Sequence, residues 1–315
     1  LTEVSQGLSS SEAMFWGESE AMRRILRLVE KVAETDANVL ITGENGTGKE
    51  VMAREIHRRS LRRDELMVAV DMGALPESLF ESELFGHCKG AFTDAHTDRI
   101  GKFEIAQGGT LFLDEIGNLS YHLQAKLLSA IQSRTIVRVG SNRPVETDVR
   151  LICATNQNLQ AMVAQERFRR DLLYRINTIH IEIPPLRQRR EDIVPLARLF
   201  LEKYAAKYGK QGIRIDEEAC RKLQEYDWYG NIRELQHTVE KAVIICDSMT
   251  IGQESLLMTP QQEEPNAGGV STLEEMERNM IRQAIRLHES NMSAVAAQLG
   301  ITRQTLYNKI KKYGL

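Results

Sequence analysis

An excess of basic charge, paired cysteines and long apolar runs are all missing from this chain of 315 residues. Lys+Arg number 41 against 44 Asp+Glu, a formal net charge of −3. No field over the whole molecule draws it to nucleic acid, so any such signal must be local. The cysteines, Cys88, Cys153, Cys220 and Cys246, are scattered without a CxxC pair. That pattern argues against a disulfide scaffold or a zinc ribbon and fits a reducing cytoplasm. No uninterrupted apolar stretch approaches the roughly 18–20 residues that span a bilayer. Residues 1–11 are polar and lack a signal-peptide pattern. A cytoplasmic location without membrane association is therefore expected. There is no internal repeat, and the first residue is not Met, which leaves room for an upstream segment.

What is present is ordinary globular material, 42% hydrophobic and 27% charged, enough for about two domains at roughly 150 residues each. Residues 18–36 place Met22, Ile25, Leu26, Val29 and Val32 at helical spacing. Strand-like runs follow at 39–41, 66–70, 110–113, 149–154 and 179–183, with helical patterns between most of them. Such alternation predicts a parallel α/β sheet. The runs around Leu111 and Leu151 are continuously apolar, as expected of strands covered on both faces. Pro184-Pro185 ends the pattern, and residues 191–257 read as helices only. Residues 258–270 are rich in Pro, Gly, Gln and Glu and read as a linker, and 271–315 contain two more amphipathic segments.

The chemistry-bearing residues sit at the strand ends. Gly43-Glu44-Asn45-Gly46-Thr47-Gly48-Lys49 fits GxxxxGK between a strand and a helical stretch over 49–59. Glycines let backbone N–H groups curl around phosphate oxygens, the helix N-terminus adds positive potential, and Lys49 reaches the β- and γ-phosphates. Glu50 stands where Ser or Thr usually follows. Leu111-Phe112-Leu113 ends in Asp114-Glu115. Asp114 is suited to hold Mg²⁺ through water, and Glu115 to orient or deprotonate an attacking water. Alone, this pair could equally be a solvated strand end. Asn156, after the next buried run, is placed to offer an amide near the γ-phosphate, although Asn after a strand is commonly a turn residue.

These motifs together resemble the AAA+ ATPases that activate bacterial sigma-54 RNA polymerase, the NtrC family of enhancer-binding proteins. The resemblance runs from about Trp16 to Leu315. GENGTGKE is similar to the family's phosphate loop, in which Glu follows Lys, so Glu50 is a family trait. Glu83 to Ala95 (ELFGHCKGAFTDA) resembles ELFGHEKGAFTGA, whose loop contacts the sigma factor; this assigns Gly90, Ala91, Phe92, Thr93, Asp94 and Ala95 to sigma contact. Phe92 has a small, polar, turn-like context that suits an exposed aromatic contact. Asp94 replaces a Gly and Cys88 a Glu. Asp71 stands where the family has a switch Asn that bonds the catalytic Glu, so a carboxylate beside Glu115 would repel it unless one is protonated or Mg²⁺ intervenes. Arg169 and Arg175 match the two arginine-finger positions, which supply charge from a neighbouring subunit. Read without the resemblance, that segment is a solvated, salt-bridged helix face. Trp228 to Leu235 (WYGNIREL) resembles WPGNVREL, which makes Arg233 the sensor II residue reaching from lid to phosphates.

Residues 291–314 read as a helix-turn-helix, with Ser293 and Thr302 as helix caps, Gly300 at the turn, and Ala296, Leu299, Leu306 and Ile310 packing the helices together. Residues 292–315 carry Arg303, Lys309, Lys311 and Lys312 and no acid, the local basic patch that the total lacks. Arg303, Gln304, Thr305 and Asn308 would reach base edges, and Lys309, Lys311 and Lys312 phosphates. The segment is similar to the Fis-type module that ends the family; a plain interaction hairpin is the bland alternative. Residues 271–289 (Leu273, Met276, Met280, Ile281, Ala284, Leu287) form an amphipathic stretch suited to dimerisation.

The resemblance implies four regions: an AAA+ α/β nucleotide-binding subdomain at 12–185, a helical lid at 186–257, a linker at 258–270, and an all-α Fis-type DNA-binding domain at 271–315. It implies ATP and Mg²⁺ as cofactors, with sigma-54 holoenzyme and upstream double-stranded DNA as partners. The active form would be a hexamer or heptamer ring and the inactive form a dimer, often under an upstream phosphorylated receiver of a two-component system. The expected activity is ATP-driven conversion of closed promoter complexes to open ones. A DNA-binding regulator of the same lineage that does not remodel sigma-54 is the alternative.

Overall fold

The computed structural model describes residues 14–74, 76–93, 95–258, 277, 278, 280–282, 285 and 292–313. The chain divides into two compact units, one ending at Met258 and one beginning at Thr259. In the first, the strands are β1 Val39–Thr42, β2 Met67–Asp71, β3 Gly86–His87, β4 Arg99–Ile100, β5 Thr110–Asp114, β6 Thr135–Val137, β7 Pro144–Glu146, β8 Arg150–Thr155, β9 Ile179–Glu182, β10 Arg214–Ile215 and β11 Thr250–Ile251. The α-helices are α1 Glu20–Ala33, α2 Lys49–Arg58, α3 Glu77–Phe85, α4 Lys102–Ile105, α5 Tyr121–Ser133, α6 Leu159–Ala164, α7 Arg170–Ile176, α8 Ile193–Lys207, α9 Glu217–Glu225 and α10 Asn231–Ile245.

Five strands form one sheet in the order β2-β5-β8-β1-β9, all parallel. The continuous apolar runs follow from two-sided burial. Alternate residues of each strand enter opposite cores. Leu111, Leu113, Leu151 and Cys153 pack with α5 and α7 through Leu123, Leu127, Leu172 and Ile176. Phe112, Ile152, Ala154 and Ile181 pack with α1 and α2 through Met22, Val29, Met52 and Ile56. Ser19 caps α1 by accepting the Met22 N–H at 3.4 Å. All four cysteines are free thiols, and burial pushes the Cys153 thiol upward. No helix among the described residues is long and apolar enough to cross a membrane.

The helical segment after Pro185 corrects one expectation. It holds α8, α9 and α10 as anticipated, but β10 and β11 also form a short parallel pair. Two-residue strands lack the length to show an alternating pattern, so periodicity cannot reveal them. A third core gathers Leu196, Phe200, Leu223, Trp228, Leu235 and Val239. Trp228 is fully buried, donates its indole N–H to the Leu223 carbonyl at 2.7 Å and meets Tyr226 edge-on at 4.8 Å.

The second unit contains helices Met292–Gln298 and Arg303–Tyr313 about Gly300, whose φ is +65°. Ile281, Val295, Ala296 and Leu306 form its small core. Thr302 caps the second helix by accepting the Thr305 N–H at 3.2 Å. Ser293 lies within the first helix. Of the apolar face expected of 271–289, Met280 is exposed and Ile281 buried; Leu273, Met276, Ala284 and Leu287 lie outside the described residues.

Trp228→Ala empties the centre of the lid core. Chemical unfolding is expected to show a loss of about 3–5 kcal/mol; an unchanged midpoint would mean that the lid is not organised around this ring.

Candidate functional site

The C-terminal ends of β2, β5, β8 and β1 lie side by side, in the crevice where open parallel sheets bind ligands. The loop after β1 holds the glycine motif. Gly48 opens α2 at φ +99°, and Thr47 Oγ1 donates to the Glu44 carbonyl at 2.8 Å. Lys49 is buried, 7% exposed, and its Nζ lies 3.1 Å from the Gly43 carbonyl, 3.4 Å from the Glu44 carbonyl and 3.5 Å from Glu115 Oε1. A buried ammonium is thus held by two loop carbonyls and one carboxylate.

Glu115 sits at φ +52°, in the left-handed region. For a non-glycine residue this costs about 1–3 kcal/mol. The kink turns its carboxylate back over the loop, where Oε2 accepts the Asn156 N–H at 3.3 Å and lies 3.5 Å from Thr155 Oγ1. Asn156 Nδ2 donates to Asn45 Oδ1 at 3.0 Å. Lys49, Glu115, Asn156 and Asn45 are thus one cluster. Thr155 is fully buried beside them; in the sequence it reads as one more residue of a buried strand.

Asp114 is tied down by the Glu115 N–H at 3.0 Å. Burial is the main cause that raises its pKa, and the charges of Glu115 and Asp71 add to it while Lys49 opposes. Asp71 is the register neighbour of Asp114 and accepts the Gly73 N–H at 2.7 Å. The repulsion expected between Asp71 and Glu115 therefore also falls on Asp114, because the parallel register pairs the two strand ends. A half-buried carboxylate pressed by two others suits a bound cation, and one or two carboxylates plus phosphate is the donor set Mg²⁺ takes.

The loop is clasped from the lid. Arg187 forks onto Glu44 at 2.8 and 2.5 Å, the main cause holding that carboxyl below its usual range. Asn231, fully buried at φ +55°, accepts the Leu186 N–H at 2.8 Å and donates to Glu44 at 3.1 Å and to the Asn45 carbonyl at 3.0 Å. Arg189 donates to the Thr47 carbonyl at 3.2 Å, and burial pushes its pKa down to about 10. The Gly46 carbonyl accepts the Ile232 and Arg233 N–H groups at 2.9 and 3.4 Å. In the sequence Asn231 and Arg187 carry no motif role of their own; the Gly-Asn step that tolerates positive φ is the one signal for Asn231.

Several expected members stand apart. Glu44 faces Arg187. Glu50 faces Arg54 on the exposed flank of α2 at 2.6 Å, because the i,i+4 spacing favours that partner. Arg233 docks by its backbone and its side chain is exposed. Arg169 and Arg175, at the two ends of α7, do not join the Lys49–Glu115 cluster: Arg169 lies on Asp171 and Tyr121, and Arg175 is exposed.

The GAFTDA segment sits between β3 and β4, which pair antiparallel. Gly90 N–H donates to the Ala95 carbonyl at 2.8 Å and closes its base. Ala95 is buried and Thr93 exposed, while Asp94 lies outside the described residues. Phe92 is 40% exposed, and its ring meets His87 at 4.9 Å. The aromatic is therefore partly anchored rather than wholly presented. Ala91 rests on Gly140, where an added Cβ would fall 2.7 Å from its methyl.

In the second unit Arg303, Gln304, Asn308, Lys311 and Lys312 are exposed on one helix. Two more of the expected residues make contacts within the unit. Lys309 is ion-paired with Glu277, which also accepts from Tyr313 at 2.6 Å, so its ammonium is already engaged. Thr305 Oγ1 is held by Thr302 Oγ1 at 2.8 Å.

A phosphate loop, an acidic strand end behind it and a helical lid over the loop define an AAA+ P-loop ATPase, here followed by a helix-turn-helix. The Sigma-54 interaction domain family matches residues 15–182, the AAA+ ATPase lid domain 187–272, and the Fis family of bacterial regulatory proteins 272–313. The chain is 47% identical to the transcriptional regulatory protein ZraR of Klebsiella oxytoca, covering 94% of this chain and 68% of that one. It is 44% identical to the regulatory protein AtoC of Escherichia coli K12, covering 100% and 71%. The crystal structure of NtrX from Brucella abortus in complex with ATP superposes with a TM-score of 0.73 at 32% identity, covering 99% and 72%. The chain belongs to the NtrC family of sigma-54-dependent transcriptional activators.

Gly46→Ala puts a Cβ 2.3 Å from the Gly230 carbonyl at a backbone φ of +77°. It is expected to cost about 1–3 kcal/mol in thermal unfolding and to weaken ATP binding in a nucleotide titration. Unchanged melting and affinity would contradict the loop–lid clasp.

Proposed function

We propose that this activator binds upstream DNA through its C-terminal helix-turn-helix, assembles in the cytoplasm into a hexamer or heptamer ring from an inactive dimer, and uses ATP hydrolysis to remodel sigma-54 closed complexes into open ones. The reading divides the chain at 12–185, 186–257, 258–270 and 271–315. The observation that carries it is the Lys49–Glu115–Asn156 cluster at the mouth of the phosphate loop.

Lys49 exchanges its present partners for the β- and γ-phosphates, which frees Glu115. Asn156 and Thr155 hold Glu115 facing the attacking water. Glu115 takes the proton as the water oxygen bonds to the γ-phosphorus and the bond to ADP breaks. Asp114 would hold Mg²⁺ through water, and the bound ion would neutralise phosphate charge. Arg169 and Arg175, which stand apart from their own chain's cluster, serve the site of a neighbouring copy. Arg233 reads the phosphates from the lid, and Glu44–Arg187–Asn231 carries loop movement into it. The loop from Gly90 to Ala95 then moves against the sigma factor, with Ala91 and Phe92 as its packed side and Thr93 as its exposed one. Arg303, Gln304, Thr305 and Asn308 read bases, and Lys309, Lys311 and Lys312 bind phosphate.

Glu115→Gln should bind ATP and hydrolyse it about 10²–10⁴-fold more slowly; ordinary turnover would reassign the base. Thr93→Ala should lose open-complex formation on a sigma-54 promoter while ATP hydrolysis persists. An undiminished yield of open complex would remove the loop from the coupling step.

A further inference from the structure

Arg169 is held by contacts within its own chain. Its Nε and Nη2 donate to the two oxygens of Asp171 at 3.1 and 2.8 Å. Its guanidinium carbon lies 5.5 Å from the centre of the Tyr121 ring. Its own N–H donates to Gln124 Oε1 at 2.8 Å. Gln124 is fully buried and donates to the Leu119 and Arg167 carbonyls at 2.9 and 3.0 Å, so the backbone at the start of α7 is fixed from beneath. Asp171 is fixed as well, because its Oδ1 accepts the Leu172 N–H at 2.8 Å. The side chains of Tyr121, Arg169, Arg170, Asp171 and Tyr174 line an open depression of about 410 Å³.

A guanidinium has a side edge, Nε with one N–H of Nη2, and an end edge made by Nη1 with the other N–H of Nη2. The two Asp171 contacts consume the side edge. The end edge is the one that a phosphate can still meet as a fork.

We propose that Asp171 is a positioning residue for ATP hydrolysis: with Tyr121 beneath, it fixes the plane of Arg169 so that only the end edge faces the γ-phosphate bound by a neighbouring copy. The inference rests on the ring reading of Arg169. Asp171 acts through the arginine. An Asn in its place keeps the shape and one acceptor for Leu172, but turns an N–H₂ toward the guanidinium and breaks the fork.

The test compares steady-state ATP hydrolysis of the full chain with Asp171→Asn, Asp171→Glu and Arg169→Ala, alongside sedimentation and thermal melting. Asp171→Asn is expected to lower kcat about 10- to 100-fold, with KM for ATP, assembly and melting unchanged, and Asp171→Glu is expected to recover part of the loss. If Arg169→Ala is inactive while Asp171→Asn turns over normally or faster, Asp171 does not position the arginine and the inference falls alone. If Arg169→Ala keeps full turnover, the finger reading falls and takes the inference with it. A kcat loss in Asp171→Asn accompanied by failed assembly or lowered melting, and not recovered by Asp171→Glu, assigns Asp171 to the fold and also overturns it.

Discussion

One buried amide holds the nucleotide site together. Asn231 is fully enclosed, and its three principal hydrogen bonds go to three different places: the first turn of the lid at Leu186, the side chain of Glu44 and the backbone of Asn45. Removing it would strand a loop carbonyl and a lid N–H without water, which is costly in the interior. The amide works only because Asn231 adopts φ +55°, a conformation that Asn tolerates better than most residues. The phosphate loop is therefore not an isolated turn over a sheet. Its shape is tied to the lid through the hydrogen bonds of Asn231.

The second constraint is charge. Asp71, Asp114 and Glu115 meet at neighbouring strand ends with Lys49 as the buried cation among them. Glu115 escapes its fellow acids through the left-handed kink, which aims it at Lys49 and the Asn156 N–H. Lys49 is the charge that offsets this crowding, since it pairs with Glu115 and opposes the rise in the Asp114 pKa. The same logic explains why the acid at 71 is tolerated: the Gly73 N–H takes its charge locally.

Much of this was legible in the sequence, for physical reasons. Alternation of apolar runs and helical spacing fixed the layered sheet, because strands with two buried faces leave continuous apolar letters. The glycine loop, Asp114-Glu115 and Asn156 could be read because each follows such a run, and parallel strands bring their ends together. What escaped depends on contacts across the chain. Glu44 and Glu50 look alike in the motif, yet one clasps the lid through Arg187 and the other faces Arg54. Lys309 reads as one more basic residue until Glu277, 32 positions earlier, neutralises it. The β10–β11 pair is too short to leave a period. Asp171 looks like a generic helix-start acid, and only the fork to Arg169 gives it a task.

On the proposed mechanism, hydrolysis occurs between copies of the chain. It is tested most directly by mixing two inactive variants of the full chain, Glu115→Gln and Arg169→Ala. Equal mixing of head-to-tail subunits pairs an intact Glu115 with an intact Arg169 at about one quarter of the seams. ATP hydrolysis absent from either protein alone should return on mixing, in proportion to those seams. If the mixture stays as inactive as its components while both still assemble, each site is completed within one chain and the account is wrong.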